Sequence, residues 1–122
     1  MTLTLFSFGH KHGPPPAADL LLDARILPNP YWVPELTDSC GTEPRVAGYV
    51  LDNETGREFL ALLLPLLRFC ASSYRQAGKE TLTVAVGCTG GRHRSVAVVE
   101  ALARQLGDLA PLAVSHRDIS RK

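Results

Sequence analysis

The sequence predicts an α/β domain with a central, mostly parallel sheet of about four strands flanked by helices. Strand-like and helix-like stretches interleave along the chain. The clearest strand, Thr81 to Val86, is apolar on both faces, which suits a parallel sheet. A glycine-rich loop then joins that strand to a helix, the arrangement that cradles anions in α/β proteins.

Leu3 to Phe8 is rich in β-favouring residues and stops at Gly9, so it reads as the first strand. His10 to Pro16 is a polar loop closed by three prolines, which suit neither a helix nor a sheet interior. Asp19 to Arg25 reads as a second, buried strand, and Pro28, Asn29 and Pro30 turn the chain after it. Tyr31 to Gly41 has no period and is assigned as loop, with Trp32 as a packing anchor. Thr42, followed by Glu43 and Pro44, opens a helix that runs to about Asp52. Thr55 and Glu58 have capping-box spacing, and a second helix is expected from there to about Gln76, kinked at Pro65 and ended by Gly78. In Thr81 to Val86 the residues Leu82, Val84 and Val86 share one face. Ser95 to Leu106 is a helix ended by Gly107, Pro111 to Val114 is a last strand, and Ser115 to Lys122 is a polar, basic tail.

At 122 residues the chain is expected to be a single domain with a real core. A net charge of +1 argues against wholesale polyanion binding but leaves room for a local basic patch. Three cysteines cannot all pair, so no disulfide framework is expected, in keeping with a reducing compartment. The longest apolar run, Phe59 to Leu67, is interrupted by Pro65 and is too short to span a bilayer. No signal peptide is recognisable, so a cytoplasmic location without membrane partners is expected.

The loop GCTGGRHRS, Gly87 to Ser95, carries the chemistry. Backbone N–H groups of such a loop converge on an anion, and the helix N-terminus adds a positive field. Gly90 and Gly91 let the backbone approach closely and take positive φ. Arg94 offers a bidentate grip on phosphate oxygens, and Thr89 and Ser95 offer hydroxyls. Ser95 has an alternative use as a helix cap. A purely structural glycine turn explains the glycines and the cap. It does not explain Arg92, His93 and Arg94 at a helix start, where the dipole disfavours cations unless an anion sits among them. The Walker spacing is absent, so ATP binding of that kind is not expected.

From Cys88 the loop also reads Cys, two residues, Gly, two residues, Arg, Ser, the spacing of cysteine-dependent phosphatases. In that alternative Cys88 is a thiolate nucleophile, Arg94 holds the transferring phosphoryl group and Ser95 helps the cysteine leave. Gly87 stands where such enzymes carry a histidine, and Asp23, Asp38 and Asp118 are the candidates for the general acid. The structural alternative for Cys88 is a small buried residue at a strand end. His10, His12, His93, His116 and Cys88 show no metal-ligand spacing, so neither a metal nor a cofactor is expected.

Beyond its spacing, GCTGGRHRSV closely resembles the glycine-rich loop of the C-terminal domain of the RapZ family of RNase adaptors, also called YvcJ-like. Other blocks agree in the same order. SFGHKHG, Ser7 to Gly13, and DARILPNPYW, Asp23 to Trp32, resemble family blocks, as do LTVAVGCTGG from Leu82 and the late HRD of His116 to Asp118. The resemblance implies binding of a phosphorylated amino sugar, glucosamine-6-phosphate, with regulatory RNA or an RNA-processing protein as partner and assembly into oligomers. In that family the domain follows a nucleotide-binding domain, whose chemistry is not carried over to this sequence. The family's RNA role leans on a lysine-rich tail, which is thinner here: Arg117, Asp118, Ile119, Ser120, Arg121, Lys122.

The matching blocks nominate one ligand site. Lys11 and His12 follow the first strand, and Asp23, Arg25 and Asn29 end the second. Thr89, Gly90, Gly91, Arg92, His93, Arg94 and Ser95 form the loop, with His116 and Arg117 just past the last strand. If the strands are parallel, these positions meet at their C-terminal ends, where open α/β sheets bind ligands. Structural readings stand beside these: Lys11 and His12 as solvated loop, Asp23 and Arg25 as a local ion pair, Asn29 as a turn residue, and Arg117, Arg121 and Lys122 as a solubilising tail.

Overall fold

The computed structural model describes residues 1–15 and 17–122; Pro16, the last proline of the expected loop, lies outside the described residues. The strands are β1 (Thr2–Gly9), β2 (Leu20–Asp23), β3 (Thr81–Cys88) and β4 (Leu112–His116). The helices are α1 (Pro44–Leu51), α2 (Glu54–Gln76) and α3 (Arg94–Leu106). The strands form one sheet in the order β2-β3-β1-β4, and every neighbouring pair is parallel. In register, Leu5 stands between Val84 and Val114. Gly9 lies beside Cys88, and Asp23 beside Gly87. The loops that follow β1, β2 and β3 therefore leave the sheet at one edge.

The core lies on one face of the sheet. Leu3 and Leu5 of β1 and Leu82, Val84 and Val86 of β3 are buried with Val46 and Val50 of α1, Leu63 and Leu67 of α2, and Leu102 and Leu106 of α3. Strand alternation sends the intervening residues to the opposite face. There Leu21 is exposed, while Phe8 is fully buried under the His10 ring and the Arg117 guanidinium. The helices thus share one side of the sheet, and loops and long side chains cover the site end of the other.

Local chemistry explains where the elements depart from the pattern. β2 is shorter than Asp19 to Arg25 because the Asp23 carboxylate takes the Arg25 N–H and ends the ladder. α2 is capped by Asn53, whose Oδ1 accepts the Gly56 N–H at 2.8 Å, not by Thr55. The Asn53 side-chain amide also donates to the carbonyls of Tyr49 and Val50, closing the end of α1. α2 continues through Pro65, which faces solvent, where water can satisfy the carbonyl the proline leaves free. A short 3-10 turn at Pro30–Trp32, capped by the Asn29 side chain, leads into the expected loop Tyr31 to Gly41. Ser95 does not cap α3; the helix begins one residue earlier, and no side chain caps it.

Candidate functional site

A cavity of about 450 Å³ opens at the C-terminal edge of the sheet. Its floor is the loop after β3, from Cys88 to Arg94. Lys11 flanks it from the β1 loop, Asn29, Tyr31, Trp32, Thr37 and Asp38 from the long segment after β2, and Arg121 and Lys122 from the end of the chain. The volume is well above that of a single bound water and lies in the range of small-molecule sites.

The loop takes its shape from one obligatory glycine. Gly91 has φ of 78°, and a Cβ there would meet the Gly9 amide nitrogen at 2.5 Å. A side chain at Gly91 is therefore excluded both by conformation and by the close approach of β1. Gly90, expected to share that role, does not have positive φ, and a Cβ there would reach only the Lys11 side chain at an ordinary 3.8 Å. The Lys11 N–H donates to the Thr89 carbonyl at 3.1 Å and ties the β1 loop to the cavity floor.

Cys88 is buried at the base of this loop. Its sulfur accepts the N–H groups of Gly91 at 3.3 Å and Ser95 at 3.4 Å, and its thiol donates to the Ser95 hydroxyl at 3.1 Å. The hydroxyl of Ser95 is thus committed to the sulfur beneath the loop. Cys88 also belongs to the core cluster, so one side of the residue meets hydrocarbon and the other the cavity.

The three basic residues of the loop are used differently. Arg94 is only 7% exposed, and its guanidinium donates to the carbonyl of Arg25 at 3.0 Å and to Thr89 Oγ1 at 3.4 Å. Among the described residues no carboxylate forms an ion pair with Arg94. Arg92 spans the cavity rim, donating to the carbonyls of Ile119 and Asp38. His93 places Nε2 3.1 Å from the Thr37 carbonyl; a carbonyl only accepts, so Nε2 carries the proton. Burial holds the His93 imidazole below its ordinary pKa of 6.5, against the opposing pull of the Thr37 and Ser39 backbone, and nearby Arg92 and Arg94 add to the depression. His93 is therefore a neutral brace for the Thr37–Asp38 segment near neutral pH.

Other nominated residues lie outside the cavity wall. Asp23 and Arg25 form an exposed pair at 2.8 Å, and the Arg25 hydrogen bond brings the Asp23 carboxyl down to about 2. His12 is not in the lining, and its Nε2 is buried without a hydrogen-bond partner among the described residues. His116 is held between the Ser7 hydroxyl at 2.6 Å and the Glu100 carboxylate at 3.0 Å, which locks β4 to β1 and α3. Arg117 donates to the carbonyls of Gly9, Gly13 and Pro14 and to Asp118, organising the proline loop. Asp118 is fully buried and accepts the Gly9 N–H at 2.7 Å. Burial opposes ionisation of Asp118, but Arg117, the Gly9 N–H and Arg121 outweigh it and leave the pKa lowered. Of the three carboxylates weighed as general acids, Asp38 alone lines the cavity.

The sequence pattern missed several lining residues. Trp32, expected as a packing anchor, is 77% exposed, and its ring meets Tyr31 edge-on at 4.9 Å between centroids. Both rings belong to the cavity lining. Their place in the block DARILPNPYW was the available signal. Arg121 and Lys122 carried no such signal, because only the return of the chain end across β1 brings them to the loop.

Chemically, the arrangement joins loop amides, a buried guanidinium and further cations at one mouth, with exposed aromatic rings at its rim. It can take an anionic group at its floor and a ring-bearing body at its edge. Residues 1–120 match the family described as the RapZ C-terminal domain. Similar curated proteins include a nucleotide-binding protein of Saccharopolyspora erythraea, 49% identical over 122 residues, spanning 98% of this chain and 42% of that protein. One from Anaeromyxobacter dehalogenans is 50% identical over 121 residues, spanning 98% of this chain and 41% of that protein. One from Corynebacterium diphtheriae is 50% identical over 121 residues, spanning 98% and 40%. The chain thus spans about two fifths of the length of these relatives.

Proposed function

The chain belongs to the family of RapZ C-terminal domains, and from that premise we propose that it is a regulatory binding module for a phosphorylated metabolite. The ligand is an amino-sugar phosphate such as glucosamine-6-phosphate, and its occupancy is read out by an RNA or protein partner. The observation that carries this reading is Arg94: a buried guanidinium at the cavity floor, held by carbonyls, with no carboxylate to balance it among the described residues. A buried charge without a counterion is costly, and a phosphate at the loop amides supplies one. The exposed Trp32 and Tyr31 rings support a ligand with a ring beyond its phosphate. The relatives' name, nucleotide-binding protein, applies to chains more than twice as long and supports, for this module, only a phosphorylated small molecule. No helix among the described residues is long and apolar enough to cross a membrane.

Calorimetric titration tests the proposal. Glucosamine-6-phosphate is expected to bind, inorganic phosphate more weakly, and unphosphorylated glucosamine not at all. Folded protein that binds no phosphorylated ligand contradicts it. A gel shift with RNA, repeated over a range of salt, tests the partner class, because phosphate contacts make RNA affinity fall steeply with salt.

A second reading, a cysteine-dependent phosphatase, is favoured by one observation. The Cys88 sulfur lies under the loop with two N–H groups directed at it, in the same cavity as Arg94 and Asp38. Hydrolysis of an aryl phosphate that disappears in Cys88→Ser supports this reading. No turnover, or turnover that survives the substitution, removes it.

A further inference from the structure

We propose that Arg121 is a ligand-contacting cation of this cavity and that Asp118 is the residue that positions it, so that the C-terminal segment grips the phosphate group of a monoester. The inference rests on the phosphate-ligand reading above and adds residues that the motif blocks do not assign to binding.

The segment is built into the fold rather than trailing from it. The Arg117 N–H donates to the Ser7 carbonyl at 3.0 Å, which extends the β4 pairing along β1. Asp118 then turns inward, fully buried, and accepts the Gly9 N–H at 2.7 Å. Gly9 is the residue against which Gly91 of the loop is packed. The Asp118 carboxylate therefore sits directly behind the cavity floor. From that anchor the chain doubles back: the Arg121 N–H donates to the Asp118 carbonyl at 3.0 Å, and Arg121 Nε reaches Asp118 Oδ1 at 3.3 Å. Arg92 Nε holds the intervening Ile119 carbonyl at 3.2 Å. These contacts leave Arg121 on the cavity wall.

Two features suit Arg121 to a ligand rather than to Asp118 alone. Arg117 already covers both Asp118 oxygens through Nε, at 3.1 Å each, so the buried carboxylate does not need the whole charge of Arg121 and can hold it while that charge faces a ligand. The Arg121 side chain is 55% exposed and meets Asp118 through its inner nitrogen, Nε, at 3.3 Å, so Asp118 holds the guanidinium in place while the outer nitrogens are left for a ligand. A phosphate monoester seated at the loop amides would then meet Arg94 from below and Arg121 from the side. An uncharged sugar offers nothing to either.

The test titrates inorganic phosphate and glucosamine-6-phosphate into wild type, Arg121→Ala, Arg121→Lys, Asp118→Asn and the Asp118→Asn/Arg121→Ala double variant, each checked for folding by thermal melt. Arg121→Ala is expected to weaken binding about fivefold and to make affinity less salt-dependent, as loss of a half-exposed cation should. Arg121→Lys should recover part of the loss. Asp118→Asn keeps an oxygen for the Gly9 N–H, so it should weaken binding by a similar factor. The double variant should then bind no more weakly than Arg121→Ala, because both changes remove the same contact. Wild-type affinity in Arg121→Ala, or losses that multiply in the double variant, overturns the inference while leaving the site reading intact. Failure of wild type to bind either probe overturns the site reading itself.

Discussion

Arg94 donates through Nη1 to the Arg25 carbonyl at 3.0 Å, so the loop's buried cation is held by the segment after β2 and not by an acid. This contact joins the two longest recognisable blocks of the sequence. It also leaves the charge of Arg94 available to a ligand. Arg94→Lys keeps a charge but loses the planar fork that spans Arg25 and Thr89. Its phosphate affinity, measured by calorimetry, is expected to fall at least about tenfold. Denaturant unfolding should show a further cost of about 1–3 kcal/mol from a buried carbonyl left without its donor. Unchanged affinity in Arg94→Lys would remove Arg94 from the binding account.

The two loop glycines should respond unequally. Gly91→Ala forces a side chain into positive φ and against the Gly9 nitrogen, so it is expected to destabilise the fold by more than about 1 kcal/mol and to abolish ligand binding. Gly90→Ala meets only the flexible Lys11 side chain and should melt within a few degrees of wild type. Equal effects at both positions would contradict the assigned roles.

Asn53 closes α1 and caps α2 with one side chain. Asn53→Ala is expected to cost about 1–2 kcal/mol in denaturant unfolding. Thr55→Ala, the residue that the capping-box spacing singled out, should cost markedly less.

His93 predicts a pH dependence of stability. Its pKa in the folded protein is held below 6.5, so between those values the unfolded chain binds more protons than the native one. This contribution to stability is full above pH 6.5 and is lost as pH falls through the folded pKa. Thermal melts from pH 8 to pH 5 should show that decline, and His93→Gln, which retains an N–H for the Thr37 carbonyl, should flatten it. A slope unchanged in His93→Gln would assign the decline to other groups.

How much of this was legible in the sequence depended on whether the deciding contact was local. β1 and β3 follow from runs of β-favouring residues, and the loop after β3 from its glycines and cations. The cap of α2 was misassigned because Thr55 and Glu58 mimic a capping box, while Asn53 acts through a neighbouring turn that only the junction with α1 defines. Trp32 is expected as a packing anchor but is exposed, because composition says nothing about the exposure of one aromatic in an aperiodic segment. Ser95 suits an anion contact or a helix cap by its place in the sequence, and it takes neither role, because its hydroxyl is bonded to the Cys88 sulfur beneath the loop. Arg121 reaches the cavity through Asp118, whose carboxylate accepts the N–H of Gly9 from more than a hundred residues away, a contact no spacing rule reports.

The most direct test of the account follows backbone amides by NMR during titration with glucosamine-6-phosphate. The account predicts that the largest shifts fall on Thr89, Gly90, Gly91 and Arg94, saturate with increasing ligand, and vanish when unphosphorylated glucosamine replaces the phosphate ester. Saturable shifts centred away from residues 89–94, or none in the folded protein, would contradict it.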